Sequence, residues 1–396
     1  MRTDRKNLLI ILIVVYVLFF DTHFQMPILS PFALSLGATP FLVGSIVGVY
    51  SFFNILGNAV SGYVLDANYW KTPVSVGILI ITLSLFAYAL APSPLFLLGV
   101  RALHGFGGGL VVPATLAYLT RGARQGSAAG RLSRNMSYYG ASIGLAALTG
   151  PPLAGILASV YGFQRTYVFI ALLMAAAVLL ILFFFQEREM PVRRGVAPRE
   201  YLGKIRASAP LRLACRLVFA LMGATGTLAA SLPLKGETLG ASPAVTGGLF
   251  AAFAATAIAT QLYWPRLVRP GRVPLGGWAL AGFLLFNAAL VLIHAGQLLS
   301  TLFLALALYG LGFGLLFPAL LELVVQGSQP AWKGAATAVF FIFFSLGVAL
   351  VPPLGGLLQQ SAAAVPPFLT AVAVSLLLLV TLPVRQRAAL RSGQSR

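Results

Sequence analysis

Apolar stretches of about 20 residues, each long enough to cross a bilayer as a helix, recur along the chain. The first six fall at roughly 8–29, 40–65, 73–91, 94–120, 132–158 and 164–186, punctuated by Gly, Pro and Arg. A polar stretch from Gln186 to Pro210 follows, and six more apolar runs lie at roughly 211–234, 243–264, 274–295, 298–325, 334–358 and 364–384. The pattern predicts an all-α polytopic membrane protein with twelve transmembrane helices. Its expected layout is an N-terminal six-helix bundle over 1–186, a cytoplasmic linker over 187–210, and a C-terminal six-helix bundle with a basic tail over 211–396.

Charge then orients these spans. Of the 27 Lys and Arg residues, 24 fall at the N-terminus, in the 66–73, 121–134 and 265–273 turns, in the linker and start of the seventh span, at Lys333, and in the tail. All those segments lie on one side of a twelve-span chain, so the excess of basic residues on the inner side places both termini in the cytoplasm, at the cell membrane. The formal net charge of +19 would imply a nucleic-acid partner in a soluble chain; here it is topological, and no nucleic acid is expected. The N-terminal run lacks a small-residue cleavage site and reads as a retained first span.

The chemistry available between the spans is sparse. One cysteine, Cys215, excludes an internal disulfide framework and a thiolate metal cluster. Three His and eight acidic residues offer no metal cage and no hydrolase triad. No phosphate-cradling Gly-Lys-Ser/Thr loop occurs, so direct ATP drive is not expected. No cofactor and no enzymatic activity are predicted, which leaves transport powered by an ion gradient.

The two halves repeat. With a shift of 205 residues, "LHGFGGGLVVPATL" (103–116) falls on "LYGLGFGLLFPALL" (308–321) with eight of fourteen positions identical, pairing Gly105 with Gly310, Gly109 with Gly314 and Pro113 with Pro318. Nearby offsets pair "LGATP" (36–40) with "LGASP" (239–243), and "PPLAG" (151–155) with "PPLGG" (352–356). A parallel repeat of six spans is the plan of transporters whose bundles rock about a central site. Gly105 and its neighbours permit close helix approach, and Pro113 is expected to kink its helix.

Against this apolar ground stand Asp21 in the first span and Arg101 and His104 in the fourth. A charge at mid-depth costs about 2.5 to 3.5 kcal/mol on insertion scales, so such groups are paired or functional. Counting from the span ends, Asp21 stands about 20 Å up, and Arg101 about 10 Å below the outer edge of a core about 30 Å thick. They reach nearly the same depth and are expected to meet. Desolvation strengthens a carboxylate's hold on a proton and a nearby guanidinium weakens it, so repacking can switch proton affinity at Asp21. The alternative is a static pair that fixes helix packing.

His104, one turn from Arg101 on the same face, is a second candidate proton or hydrogen-bond site. In the repeat, Ala224 stands for Asp21, Leu306 for Arg101 and Tyr309 for His104, so the architecture itself needs no charges and Tyr309 is a candidate for the substrate cavity. Phe24 and Gln25 share Asp21's general face and are candidates to touch substrate. Asn54 and Asn58, four residues apart, line the cavity or bridge helices. His23 points about 200° away from Asp21 and is read as a packing residue. Glu322 is read as forming a helix-end ion pair, with a coupling role as the other possibility.

"RALHGFGGGLVVP" (101–113) resembles the fourth-helix motif of the major facilitator superfamily, and specifically of its twelve-helix drug:proton antiporters, with His104 where Gln is usual. "GPPLAG" (150–155) is similar to the fifth-helix antiporter motif, and "GYVLDANYWK" (62–71) to the loop motif between the second and third helices. In the loop, Gly62, Asp66 and Lys71 match, while Ala67, Tyr69 and Trp70 replace the usual Arg, Gly and Arg.

The resemblance implies a fold of two pseudo-symmetric bundles, with the first and fourth helices lining a central cavity where Asp21 and Arg101 face water and substrate. It implies that Gly150, Pro151 and Gly155 shape the fit of the fifth helix against its neighbours. The expected function is proton-coupled export of a small amphipathic organic compound by alternating access. Its expected partners are protons, the small-molecule substrate and the lipid bilayer, with the protein as a monomer. Two alternatives stay open: an importer or facilitator in which Arg101 grips an anionic metabolite, and a non-transporting membrane receptor or scaffold.

Overall fold

The computed structural model describes residues 2–66, 71–121, 128–185, 202–267, 275–329 and 331–381. Their regular structure is helical throughout. The elements are α1 (Arg2–Phe24), α2 (Leu29–Ser35), α3 (Pro40–Asp66), α4 (Lys71–Ala89), α5 (Pro94–Arg121), α6 (Ala128–Tyr161) and α7 (Phe163–Phe184). They continue with α8 (Leu202–Ala207), α9 (Ala209–Thr238), α10 (Pro243–Leu267), α11 (Leu275–Ala295), α12 (Leu299–Gln326), α13 (Lys333–Gln360) and α14 (Pro367–Val380). Among the described residues, eleven helices are long and apolar enough to cross a membrane. A twelfth apolar helix, α14, is shorter at 14 residues.

The helix ends follow from Pro and Gly. Pro40, Pro94, Pro243 and Pro367 each open a helix, where a missing N–H is harmless because the first turn has no carbonyl to receive it. Gly37 and Gly240 take positive φ angles of 89° and 77°. Each sits at the same place in its half, and the next residue's N–H reaches back in the same way: Ala38 to Ala33 O at 3.0 Å, Ala241 to Gly236 O at 2.9 Å. A residue with a Cβ is strained in that conformation.

The first apolar run is not one helix to Leu29, as its composition predicts. α1 stops at Phe24, a turn follows, and α2 starts at Leu29. Pro27 has no N–H to donate and cannot continue the ladder. Ile28 N and Leu29 N instead both bond to Gln25 O, at 3.2 and 2.9 Å. Asp21 is thereby left in the last turn of α1. Pro113 and Pro318, in contrast, stand inside α5 and α12, which run on through them.

The chain forms two compact units: Met1–Ala38 with Val49–Gly195 and Ser242–Gly247, and Thr39–Gly48 with Val196–Ala241 and Gly248–Arg396. In the first, α1 lies on α6 and α7, and α4 on α5 and α7. In the second, α9 lies on α13 and α14, and α11 on α12 and α14. These are the same pairings one repeat further along. Glycines also bring α5 close to α3, and α12 close to α10 and α11. A Cβ on Gly105 would come within 2.8 Å of Tyr50 Cα, and one on Gly109 within 2.8 Å of Gly57 Cα. In the second unit a Cβ on Gly314 would come within 2.8 Å of Ala257 O, and one on Gly312 within 2.7 Å of Phe286 N.

Within a bilayer, helix association depends on such close fitting because lipid is as apolar as the side chains. The "PPLAG" and "PPLGG" repeats show it again, since a Cβ on Gly155 would lie 2.8 Å from the Pro243 carbonyl carbon and one on Gly356 2.8 Å from Phe41 Cα. Large apolar side chains left on the outside, such as Leu83 at 60% exposure and Phe183 at 75%, suit a lipid-facing surface.

Candidate functional site

Four helices of the first unit converge at one buried cluster. α1 contributes Asp21 from its last turn, the turn after it Gln25, α3 Tyr50, α4 Tyr88 and α5 both Arg101 and His104. Gly105 lets α5 approach α3 until the Tyr50 ring covers Arg101, with Cζ 4.5 Å from the ring centroid. The same ring meets His104 edge-on at 5.3 Å. Gly77 and Gly107 do the corresponding work between α4 and α5: a Cβ on Gly107 would lie 2.8 Å from Gly77 O.

Asp21 and His104 are fully buried, and His104 Nε2 lies 2.8 Å from Asp21 Oδ2. Gln25 Nε2 donates to the other carboxylate oxygen, Oδ1, at 2.9 Å. Arg101 Nη1 donates to Gln25 Oε1 at 2.6 Å. Tyr88 closes the chain with its hydroxyl 3.1 Å from His104 Nδ1. Arg101 Nε is buried without a partner.

Two expectations change here. Arg101 does not touch Asp21 directly: Gln25, one turn past Asp21, presents its amide to both, accepting from the guanidinium and donating to the carboxylate. Nor do the two charged groups face open water, because Asp21 is 0% and Arg101 6% exposed. The rings of Tyr50 and Tyr88 and the amide of Gln25 occupy that space. A buried carboxylate and guanidinium are tolerated when each finds hydrogen-bonding partners, and this cluster supplies them through neutral groups.

The remaining sequence candidates have definite places. Phe24 is fully buried, against Phe20 at 5.4 Å and stacked on Phe169 at 6.5 Å. Asn54 Nδ2 donates to Gly105 O at 3.4 Å, bridging α3 and α5, and Asn58 Nδ2 donates to Asn54 Oδ1 at 2.9 Å. His23 Nδ1 lies 2.7 Å from Phe19 O within its own helix. Gly150 faces α1, where a Cβ would come within 3.1 Å of Phe20 O. Pro151 is buried, and a Cβ on Gly247 would lie 2.9 Å from its carbonyl carbon.

Of the loop motif, a Cβ on Gly62 would meet nothing within 4 Å, and Lys71 Nζ donates to Leu182 O at 3.2 Å. Residues 67–70 lie outside the described residues, and α3 ends at Asp66.

In the second unit Tyr309, at the repeat position of His104, is fully buried, with its hydroxyl 2.9 Å from Thr225 Oγ1 and 3.2 Å from Leu221 O. The same α9–α12 contact is thus made with neutral groups, and Leu306 is buried where the first unit has Arg101. Trp264 Nε1 donates to Glu322 Oε1 at 2.9 Å, between α10 and α12, and the neighbouring basic loop over 268–274 lies outside the described residues. Trp264→Phe is therefore expected to destabilise the protein by about 1–2 kcal/mol, by removing the donor from a half-buried carboxylate. Glu322→Gln, which keeps an acceptor, is expected to be nearly neutral. Thermal unfolding in detergent distinguishes them, and equal stability of Trp264→Phe and wild type would contradict the assignment.

The described residues form two parallel repeats of six apolar helices, eleven of them of membrane-spanning length, with a buried ionisable cluster in one repeat. The chain belongs to the Major Facilitator Superfamily, whose sequence profile matches residues 11–352 and again 217–395. It is a multi-pass membrane protein of that transporter family. Over 168 residues it is 27% identical to an uncharacterised MFS-type transporter of Methanocaldococcus jannaschii, covering 42% of each chain. Over 91 residues it is 35% identical to the multidrug resistance protein B homolog of Mycobacterium tuberculosis, covering 23% of this chain and 16% of that one. The chain thus spans less than half of either relative. The crystal structure of a bacterial homolog of the human lysosomal transporter Spinster, inward-facing and unoccupied, superposes with a TM-score of 0.76 at 15% identity, over 98% of this chain and 97% of that one.

Proposed function

We propose that the protein is a proton-coupled antiporter that exports a small amphipathic organic compound by alternating access, with Asp21 as its principal proton carrier. The observation that carries this reading is the fully buried Asp21–His104 hydrogen bond inside a transporter bundle. With Asp21 ionised and His104 neutral, the positive charge of Arg101 balances the cluster. One added proton leaves it with a net positive charge, which is costly where water is excluded. The loaded cluster therefore favours a conformation that admits water or a counter-charge, and the unloaded one favours enclosure.

That difference links proton binding to conformation. A ligand shifts a conformational equilibrium by its differential affinity for the two states, and here the ligand is the proton. His104 shares the proton with Asp21, and Arg101 tunes the pair through Gln25. Similarity to the multidrug resistance homolog supports an amphipathic organic substrate, and the distribution of Lys and Arg supports a cell-membrane location with cytoplasmic termini.

The test is reconstitution into liposomes with an acidic lumen. Compounds that raise the melting temperature of the purified protein serve as candidate substrates. Accumulation inside the vesicles should require the pH gradient and collapse when nigericin dissipates it. Transport that ignores the gradient, or accumulation only when the lumen is alkaline, would overturn the proposal.

A further inference from the structure

Tyr88 is a buried hydroxyl that the proton-carrier scheme leaves without a task. It stands at the end of α4, fully buried, 3.1 Å from His104 Nδ1, while His104 Nε2 faces Asp21 Oδ2 at 2.8 Å. A neutral imidazole carries one N–H and one bare nitrogen, so its two hydrogen bonds must run in a defined direction. The same bookkeeping fixes Gln25. The guanidinium of Arg101 has only donors, so Gln25 must turn its oxygen to Arg101 and its N–H to Asp21 Oδ1. Oδ1 is thus already filled by a donor, and an added proton has only Oδ2 or the imidazole to occupy.

In the unloaded cluster, His104 Nε2–H donates to the Asp21 carboxylate, Nδ1 is bare, and Tyr88 donates its hydroxyl hydrogen to it. One proton is then added. If it rests on the imidazole, both ring nitrogens carry hydrogen. If it rests on Oδ2, that O–H donates to Nε2, and the single imidazole hydrogen is on Nδ1. Either way, Nδ1–H donates to the Tyr88 oxygen.

We infer that Tyr88 is a positioning residue whose hydrogen bond to His104 reverses direction each time the Asp21–His104 pair gains or loses a proton. The inference rests on the proposed role of Asp21 as proton carrier. When the bond reverses, the Tyr88 hydroxyl hydrogen needs another acceptor. Tyr167 of α7 packs its ring 5.0 Å from that of Tyr88, and its buried hydroxyl has no partner. The two hydroxyls are not bonded to each other in this structure, so a shift of α4 against α7 that joins them would register the proton. The ionisable groups facing His104 are Asp21 from α1, Tyr50 from α3, Tyr88 from α4 and Arg101 from its own helix, with Tyr167 behind Tyr88.

The experiment is solid-state nuclear magnetic resonance of protein in lipid, with labelled histidine and tyrosine, in a His23→Gln, His294→Gln background that leaves His104 as the only imidazole. At alkaline pH, His104 should be the pure Nε2–H tautomer. Acidification should protonate Nδ1, with the Tyr88 signal moving from donor to acceptor character over the same pH range. Tyr88→Phe should keep the Nε2–H tautomer, which the Asp21 carboxylate holds, while the bare Nδ1 loses its donor and its signal moves away from that of wild type.

An Nδ1 that stays bare at acid pH, a Tyr88 signal that does not follow it, or a Tyr88→Phe variant whose alkaline Nδ1 signal is that of wild type would each overturn the inference. If proton-coupled flux in liposomes nevertheless depends on Asp21, the antiporter reading survives and only the role of Tyr88 falls. If the bond reverses but Asp21→Asn couples normally, the antiporter reading falls instead.

Discussion

Asp21→Asn is expected to reduce pH-driven substrate accumulation to the level of protein-free liposomes while leaving exchange of substrate for substrate measurable at saturating concentrations. The two side chains have nearly the same size, and the asparagine oxygen can accept from Gln25 as the carboxylate does. Its NH2 group then donates to His104 Nε2, which requires the hydrogen on Nδ1. This is the hydrogen-bond arrangement of the proton-loaded cluster, fixed in place. The cost to folding is expected to be within about 1 kcal/mol, because no buried polar group loses its partner. Exchange should persist, because it needs conformational cycling with bound substrate but no proton turnover. Flux assays on the same vesicles separate the two activities, and pH-driven accumulation at the wild-type rate in this variant would exclude Asp21 as carrier.

The second large effect concerns helix packing rather than chemistry. Gly105→Ala is expected to destabilise the protein by about 1–3 kcal/mol and to impair transport, since the new methyl meets the α3 backbone at Tyr50 and not a movable side chain. Pushing α3 away also lifts the Tyr50 ring from Arg101 and His104. Gly99→Ala, two turns earlier on α5, meets nothing within 4 Å and provides the control. It should match or slightly exceed wild-type stability, because Ala is the better helix residue by about 0.5–1 kcal/mol. Thermal unfolding and flux of the two variants check this, and equal behaviour would show that α3 and α5 are not in close backbone contact.

The helical membrane fold was legible because length and apolarity suffice to define a span, and because "LHGFGGGLVVPATL" and its copy share glycines that both units use to the same end. The closeness of Asp21, Arg101 and His104 was also legible, since their depths follow from counting residues at a fixed rise. What joins them was not. Gln25 reads as a substrate-facing residue from its place beside Asp21, and only coordinates show its amide turned between the carboxylate and the guanidinium.

Tyr50, Tyr88 and Tyr167 escaped for a physical reason. In a soluble helix the polar face marks the outside, but lipid and bundle interior are equally apolar, so the pattern of α3, α4 and α7 does not say which side turns inward. The break at Pro27 was hidden by the same uniform apolarity. The enclosure of the cluster belongs to one conformation, and a sequence common to all conformations carries no mark of it.

The most direct measurement of the central claim is the number of protons exchanged when ligand binds to purified protein in weakly buffered detergent. If ligand and proton alternate at the Asp21–His104 pair, a compound found by thermal shift should release about one proton per molecule bound, near the pH where the pair titrates, through reciprocal linkage. Asp21→Asn, held in the proton-loaded arrangement, should bind the same compound more weakly and release none. Equal proton release by both proteins, or ligand binding to wild type with no release at any pH, would contradict the account.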